Sequence, residues 1–481
     1  MIDSILLVWK RTEDMKEGME NDEKQQYSKE EIIRHRYLKM SPFNTTNTCN
    51  LQYTACVGIN GGYNQSTIYE GFRCTVDTLV ESIGEYKNYA DPLVYPILFC
   101  IRHSIELFLK DLYNSIQYIN SIKNNHDIFV KLNKAERIQS YLSQQCDDDA
   151  SNIRYNNEGD SDSACEKNKK RREEIEKRHI KIKSCIDSLS KECFKDFKKV
   201  EFTHDINDLI EKIINIYKID YRIKEVFDDV LPLLSYYKDI DPKGDAFRYW
   251  LNKDGKPHFE AKNIEIVKLD IVVVQFDEIS EKFNQINWLM WYLRKEYNTG
   301  TFTKELSRAQ LEEISKLIPA PNEYADKIGE VKELIKNKYN IGSNKFNHAL
   351  DIIRRHREFS AYMGNEKVFS YLSDDTMKIF AECSLGQRNW EEASSEISIN
   401  EMNLLYTFSE IYGWRYDEKN FAYFSESLQL VYKDTKKSGI RWDNINPASQ
   451  IDHIIKGMQK CGQITYATFM EGYLLNLKGQ L

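Results

Sequence analysis

Residues Leu93 to Tyr113 read LVYPILFCIRHSIELFLKDLY, an apolar segment of helical length interrupted by a few charged side chains. In a helix of 3.6 residues per turn, Arg102, Glu106 and Lys110 follow one another at i,i+4 spacing on one face. His103 lies beside them on the next row. A helix that is apolar all round is normally buried. Because an unpaired buried ion costs several kcal/mol, these side chains must either neutralise one another or form a functional site.

The same segment is long enough to cross a membrane, but its charges argue against a span. Each charged residue, such as Glu106, would cost about 2.5–3.5 kcal/mol at the centre of a bilayer. The apolar run Ile5 to Trp9 is too short for the core of a signal peptide, and basic residues follow it instead of preceding it. Ten cysteines without a CxxC pair predict free thiols in a reducing compartment. We therefore expect a cytoplasmic protein that does not associate with membranes.

The composition is typical of a globular chain rich in long helices. Of 481 residues, 41% are hydrophobic and 30% are charged, and only 9 prolines and 20 glycines interrupt the segments. The net charge of -8 argues against a protein that coats polyanions in general. A local basic groove remains compatible with that charge.

The sequence predicts a mainly α fold in three parts. Residues 1–65 form a mixed N-terminal segment. Residues 66–262 form a helical bundle, which opens with a hairpin of the helix Ser66 to Ile83 and the apolar helix after it. Within this bundle, residues 145–200 are polar and charged, and we predict a surface insertion that is partly disordered. Residues 263–481 form a second α-helical domain.

Several elements are predicted around and inside this second domain. Ser307 with Gln310 predicts a capping box for a helix that ends at Leu317. The other predicted elements are a loop or short hairpin at Phe247–Pro257 and helices at Ile264–Tyr297, Ala325–Tyr339 and Asn344–Met363.

Arg102, His103, Glu106 and Lys110 are the candidate catalytic residues. A histidine beside a carboxylate and two cations can perform acid–base catalysis or bind a phosphate. In the alternative interpretation, Glu106 neutralises the two cations, and His103 donates a hydrogen bond to a neighbouring helix. The residues alone leave both interpretations open.

Two candidate substrate-binding residues, His204 and Arg248, lie further along the chain. His204 precedes a predicted helix, where the ordinary role of Thr203 or Asp205 is to cap the first backbone N–H groups. Arg248 lies in the aromatic tetrad FRYW, where an arginine is either held between rings or contacts an anion. Spacing alone does not show that either residue meets the apolar helix.

Other motifs carry less information. The basic run Arg354 to Arg357 lies on a predicted helix, where consecutive arginines fan out, so a solvated face is favoured over a nucleic-acid patch. The chain has no HExxH, GxSxG, GxGxxG or GxxxxGK[ST] motif and no cluster with metal-ligand spacing. We therefore predict neither a metal nor a cofactor.

Several blocks resemble bacterial proteins of the HEPN-like group: YPILFCIRHSIELFLKDL, the run His204-Asp205-Ile206 and the run Phe247-Arg248-Tyr249. The similarity covers roughly residues 55 to 260. The blocks GTFTKELSR and KFNHALDIIRRHREFSAYMG look like an associated C-terminal region of the same proteins. The resemblance implies a helical bundle found in toxin–antitoxin and phage-defence contexts.

Active members of the wider group cut RNA with an arginine and a histidine separated by four to six residues on one helix, commonly completed across a dimer. Here Arg102 and His103 are adjacent, which departs from that pattern. Arg172 and His179 have the spacing, but they lie in the polar insertion, and one such pair is expected by chance.

The resemblance implies an RNA- or nucleotide-directed role in bacterial phage defence or stress response, with a metal-independent ribonuclease as its enzymatic form. In that form, His103 is the acid–base group, and Arg102 or Lys110 stabilises phosphate charge. The alternative is a non-catalytic helical scaffold, or a partner-binding subunit of a defence or toxin–antitoxin complex. We expect RNA, a nucleotide or a protein as partner, and a homo-oligomer.

Overall fold

The computed structural model describes Ala55 and residues 65–85, 90–155, 162–198, 200, 203–249, 251–252, 254–413, 424–438 and 445–479. The chain divides into two units, Met1–Thr67 and Ile68–Leu481. Nearly all described residues belong to the second unit. The predicted N-terminal mixed segment, 1–65, lies outside the described residues except for Ala55 and Gln65.

The described part of the chain contains eighteen α-helices and no strand, which confirms the prediction of a mainly α fold. An isolated antiparallel bridge joins Leu251 to Pro257, in the segment predicted as a short hairpin or loop. Gly255 turns this segment with a φ of 74°. That backbone conformation favours glycine, because glycine has no Cβ.

Eight helices form the first part of the described fold. They are α1 (Gln65–Glu85), α2 (Ala90–Asn124), α3 (His126–Tyr155), α4 (Asp162–Cys193), α5 (Ile206–Ile216), α6 (Tyr221–Ile240), α7 (His258–Ala261) and α8 (Leu269–Asn298). Helix α2 is central, because it packs against both α5 and α8, and α8 also packs against α6. One apolar core joins these helices except the short α7, which has no buried residue.

Helix α2 is longer than predicted. The prediction ended at Tyr113, whereas the helix continues to Asn124 because Ile116, Ile119 and Ile122 extend its buried stripe. Among the described residues, α2 is the helix long and apolar enough to cross a membrane, and 56% of its most apolar window is buried inside the bundle. Its buried side chains place α2 in the core of this bundle.

The predicted charged insertion forms most of a helical hairpin. It begins inside α3, and α4 packs along α3 in the return direction. Its described residues are helical up to Tyr155 and again from Asp162 to Cys193, while residues 156–161 lie outside the described part. Among the side chains of the hairpin that the structure describes, few are buried, for example Leu142 and Ile175, which agrees with its polar composition.

Helix α8 begins after the predicted domain boundary at residue 263, yet its buried side chains belong to the first core. Phe276, Ile279 and Phe283 lie in that core, and the ring of Phe283 stacks on Phe108 of α2. The left-handed residue Asn263, with a φ of 54°, therefore marks a turn before a core helix.

The remaining helices surround two further cores among the described residues. Helices α9 (Arg308–Leu317), α10 (Tyr324–Tyr339), α11 (Ser343–Arg355) and α12 (Arg357–Tyr362) surround one of them. The other is formed by α13 (Asp374–Ser384), α14 (Trp390–Ala393), α15 (Ile399–Tyr412), α16 (Leu428–Ser438), α17 (Pro447–Lys460) and α18 (Ile464–Lys478).

Two local predictions in this region have clear outcomes. The capping box of Ser307 and Gln310 is present at the start of α9. The predicted single helix Asn344–Met363 is instead two helices, α11 and α12, which meet at His356. The backbone of His356 is extended, and its imidazole accepts a hydrogen bond from the N–H of Phe359, so it caps α12.

Candidate functional site

Glu106 on α2 is the centre of a polar cluster, which we call the Glu106 cluster: Arg102, His103, Glu106, Lys110 and His204. Lys110 Nζ and His204 Nδ1 each lie 2.8 Å from Glu106 Oε1. Arg102 donates to Glu106 Oε2. Arg102 and Glu106 are each 2% exposed and Lys110 is 7% exposed, so the predicted convergence of these charges in the interior is present.

The partners of Glu106 determine its ionisation. Burial by itself would raise the pKa of this carboxyl, but hydrogen bonds from Lys110, His204 and Arg102 outweigh burial and hold the pKa at about 2. Glu106 is therefore ionised at neutral pH and balances part of the cationic charge around it.

Arg102 connects α2 to two backbone segments that are distant in sequence. Its Nε donates to the carbonyl of Asp241 at 3.0 Å, and Nη2 donates to the carbonyls of Pro242, at 3.0 Å, and His204. Gly244, with a φ of 78°, lies against the guanidinium. A Cβ added at this position would be only 3.2 Å from Arg102 Cζ. The guanidinium thus holds the segment before α5 and the loop after α6 in place.

Asp241 and Gly244 belong to the site although sequence reasoning did not select them. Asp241 is 3% exposed, and its Oδ1 accepts hydrogen bonds from the N–H groups of Asp245 and Ala246 at 2.8 and 3.1 Å. In the sequence, the run Asp241-Pro242-Lys243-Gly244 indicates only the end of a helix. Its excess of turn residues is a signal for a tight loop, but it does not indicate that an arginine binds there.

His204 lies at the outer edge of the cluster, immediately before α5. Asp205 caps this helix by accepting a hydrogen bond from the N–H of Asn207, as the ordinary capping role predicts. The side chain of His204 is 53% exposed. Because a carboxylate only accepts hydrogen bonds, His204 Nδ1 carries the hydrogen, and in the neutral imidazole Nε2 is then the acceptor.

His103 occupies a more apolar position on the same edge. Its ring stacks on Phe99 at 5.7 Å and meets Phe72 edge-on at 4.8 Å between centroids. Nδ1 lies 4.0 Å from Glu106 Oε2. Burial lowers the pKa of His103, and the charges of Arg102 and Arg248 lower it further against the opposing effect of Glu106. His103 is therefore neutral near pH 7.

Arg248 lies at the surface beside this edge, not in the interior. Its Cζ is 5.9 Å from the centre of the Phe99 ring, and its charge contributes to the lowered pKa of His103. This arrangement places the cation against one ring, that of Phe99. The exposed guanidinium also remains accessible to an anion.

The other sequence candidates lie elsewhere. His179 on α4 contacts Ser143 on α3 at 3.2 Å, and the side chain of Arg172 is outside the described part. Arg354 donates to the hydroxyl of Tyr324 at 2.8 Å, whereas Arg357 donates to the carbonyl of Lys367. These two arginines lie on different helices, α11 and α12, because the predicted single helix breaks at His356.

Comparison with known proteins identified no relative: no family model, no curated protein and no solved structure matches the chain. The resemblance to HEPN-like proteins stays a prediction, supported by the sequence blocks quoted above.

Proposed function

We propose that the protein is a cytoplasmic, RNA-directed enzyme of bacterial phage defence or stress response, which cleaves RNA without a metal at the Glu106 cluster. The observation that supports the proposal is the contact of 2.8 Å between His204 Nδ1 and Glu106 Oε1, on an imidazole that is half exposed. A carboxylate that orients a histidine and fixes its tautomer is a recurring arrangement of acid–base catalysis.

The proposed reaction is transfer of the phosphodiester within the RNA chain. His204 Nε2 accepts the proton of a ribose 2′-hydroxyl, and the 2′-oxygen forms a bond to the adjacent phosphorus. The bond from phosphorus to the 5′-oxygen breaks, that oxygen takes a proton from water, and the hydroxide that remains takes the proton held by His204. The products are a 2′,3′-cyclic phosphate and a 5′-hydroxyl. Arg248, the exposed cation near this edge, stabilises the charge on the phosphate.

This proposal assigns different roles to the two histidines than the sequence did. The sequence favoured His103 as the acid–base group, but its ring is packed between Phe72 and Phe99. His204 is more exposed and is held by Glu106. In this assignment Arg102 and Lys110 keep Glu106 ionised and in position. They are not assigned to the substrate, because their hydrogen bonds are directed at protein atoms.

The test compares His204→Ala with His348→Ala, a control that removes an exposed histidine from α11. Cleavage of a labelled single-stranded RNA is measured with EDTA present, and melting temperatures are measured in parallel. We expect His204→Ala to slow cleavage by at least about 100-fold with a melting temperature within a few degrees of wild type. Equal cleavage by His204→Ala and wild type would exclude this role for His204.

A second candidate function is a non-catalytic scaffold, or the partner-binding subunit of a defence or toxin–antitoxin complex. Four hydrogen bonds from Arg102 to Glu106 and to loop carbonyls favour it, because such a network stabilises a fold without any ligand. In this case wild type cleaves no RNA, while Glu106→Ala destabilises the fold by about 3–5 kcal/mol by stranding its cations. Assembly of the chain as a homo-oligomer stays a prediction under both functions.

A further inference from the structure

Two groups of aromatic side chains, related by the i,i+4 positions of Tyr95 and Phe99 on α2, form a strip that begins at the Glu106 cluster. We call it the aromatic strip; its rings are those of Phe72, His103, Phe99, Tyr95, Phe259 and Phe247. Tyr95 lies 5.5 Å from Phe259, and Phe259 lies 5.9 Å from Phe247. Arg248 lies against the strip at Phe99.

The strip is open to solvent at the end away from His103. Tyr95 is 39% exposed, and the rings of Phe99, Phe247 and Phe259 are only partly buried. With a rise of 1.5 Å per residue, Tyr95 lies about 12 Å along the helix axis from His103. An exposed ring and an exposed cation therefore lie near His103, at the edge of the Glu106 cluster.

Exposed rings beside an arginine suit an unpaired nucleotide. Every base has a π-face that stacks on an aromatic side chain, while a guanidinium binds the phosphate between bases. In a duplex the bases are already stacked and their faces are covered. The chemistry of the strip thus selects for single-stranded nucleic acid.

We propose that the aromatic strip binds an unpaired base of single-stranded RNA on Tyr95, with Arg248 on the neighbouring phosphate. This inference rests on the proposed function, because it gives the substrate class for the same site. Tyr95 and Arg248 are then the residues that determine specificity for single strands.

The test measures binding by fluorescence anisotropy, with the full chain and a labelled 12-nucleotide RNA carrying 2′-fluoro groups, which cannot be cleaved through the 2′-hydroxyl. We expect Tyr95→Ala to weaken binding by at least about fivefold, and Tyr95→Phe to bind like wild type because the ring remains. The matched control is Tyr221→Ala, which removes a tyrosine of almost equal exposure, 38%, from the far end of α6.

Arg248 is tested in the same assay. Arg248→Ala should weaken binding and lower the slope of log affinity against log salt by about one, because one phosphate contact is lost. Arg354→Ala is its control, because Arg354 is also exposed and lies over a ring, that of Tyr324 on α10. Circular dichroism confirms that each variant is folded.

The outcomes separate this inference from the proposed function. Wild-type affinity in Tyr95→Ala, or equal affinity for the RNA annealed to its complement, would overturn the strip proposal and leave the ribonuclease intact. A change in sedimentation of Tyr95→Ala at unchanged RNA affinity would also overturn it, because the strip would then be a protein interface. Binding that depends on Tyr95, without any cleavage by wild type, would support the strip and reject the ribonuclease.

Discussion

At the scale of single residues, the site depends on one carboxylate with several donors. Glu106 accepts hydrogen bonds from Arg102, Lys110 and His204, so its negative charge is stabilised although the side chain is buried. Removing one partner from such a network destabilises the fold, because the remaining partner is left as an uncompensated buried charge. The proposed catalysis and the stability of the fold therefore both depend on the Glu106 carboxylate.

The lowered pKa of Glu106 predicts a specific dependence of stability on pH. A carboxyl with a pKa of about 2 in the folded chain and about 4.5 in the unfolded chain adds about 3 kcal/mol above pH 4.5. This contribution is lost as the pH falls from 4.5 towards 2. Glu106→Gln lacks this contribution from the ionised carboxylate. Its free energy of unfolding, measured with urea, should therefore differ less from that of wild type at pH 3 than at pH 7.

A surface carboxylate provides the control for that experiment. Glu174, whose side chain is 65% exposed, pairs with Arg178 on the same helix. Glu174→Gln should differ from wild type by less than about 1 kcal/mol at both pH values. A difference for Glu106→Gln that stays constant from pH 7 to pH 3 would contradict the proposed ionisation.

Gly244 gives a second prediction at the residue scale. Gly244→Ala should destabilise the chain by more than the roughly 1 kcal/mol of left-handed strain, because its Cβ would also press on Arg102. Gly255→Ala is the matched control: its φ is 74°, and a Cβ there would meet nothing within 4 Å. Chemical unfolding of both variants isolates the effect of the contact. Equal losses would mean that the loop does not support Arg102.

At the scale of elements, close packing between helices distinguishes two glycines that look alike in the sequence. Gly457 on α17 and Gly472 on α18 are both glycines inside helices. A Cβ at Gly457 would lie 1.9 Å from the carbonyl oxygen of Phe408 on α15, whereas a Cβ at Gly472 meets nothing within 4 Å. Helix propensity alone favours alanine at both positions, so only packing distinguishes them.

The two glycines predict opposite effects of one substitution. Gly457→Ala should destabilise the fold by at least about 1–3 kcal/mol, because α15 and α17 must move apart. Gly472→Ala should stabilise it by up to about 1 kcal/mol. Differential scanning calorimetry measures both variants. A Gly457→Ala protein that melts at or above the wild-type temperature would show that the two helices do not pack this closely.

At the scale of the whole molecule, a second buried ionic group connects two of the cores. Arg308 on α9 pairs with Glu358 on α12 and with Glu426, which precedes α16. Burial would raise the pKa of Glu426, but His356 and Arg308 hold it well below its usual range. Helices α9 and α12 surround one core and α16 belongs to the next, so this group joins them.

Loss of Arg308 should therefore weaken the C-terminal half as a unit. We expect Arg308→Met to destabilise the chain by about 3–5 kcal/mol, because two largely buried carboxylates lose their shared arginine. In the control Arg388→Met, the side chain is 34% exposed and pairs with Glu396, so the loss should stay below about 1 kcal/mol. Urea unfolding compares the two, and losses of equal size would argue against the connection.

Much of this architecture could be predicted because helix formation is local. The apolar period of α2, the stripe of α5 and the capping box at Ser307 depend on residues within a few turns of one another. The break at His356 and the full length of α2 were missed. The extra length of α2 follows from a buried stripe that continues to Ile122, and the break at His356 follows from the cap that its imidazole forms.

By itself, the sequence determined the helical class and the stacking of Arg102, Glu106 and Lys110 on one face of a buried helix, because both follow from the period of 3.6 residues. Only the tertiary structure decided that His204 and the loop at Asp241 complete the cluster, and that α8 packs in the first core. These contacts join residues about 100 to 180 positions apart. Such pairs are selected by the packing of whole helices, which no local pattern encodes.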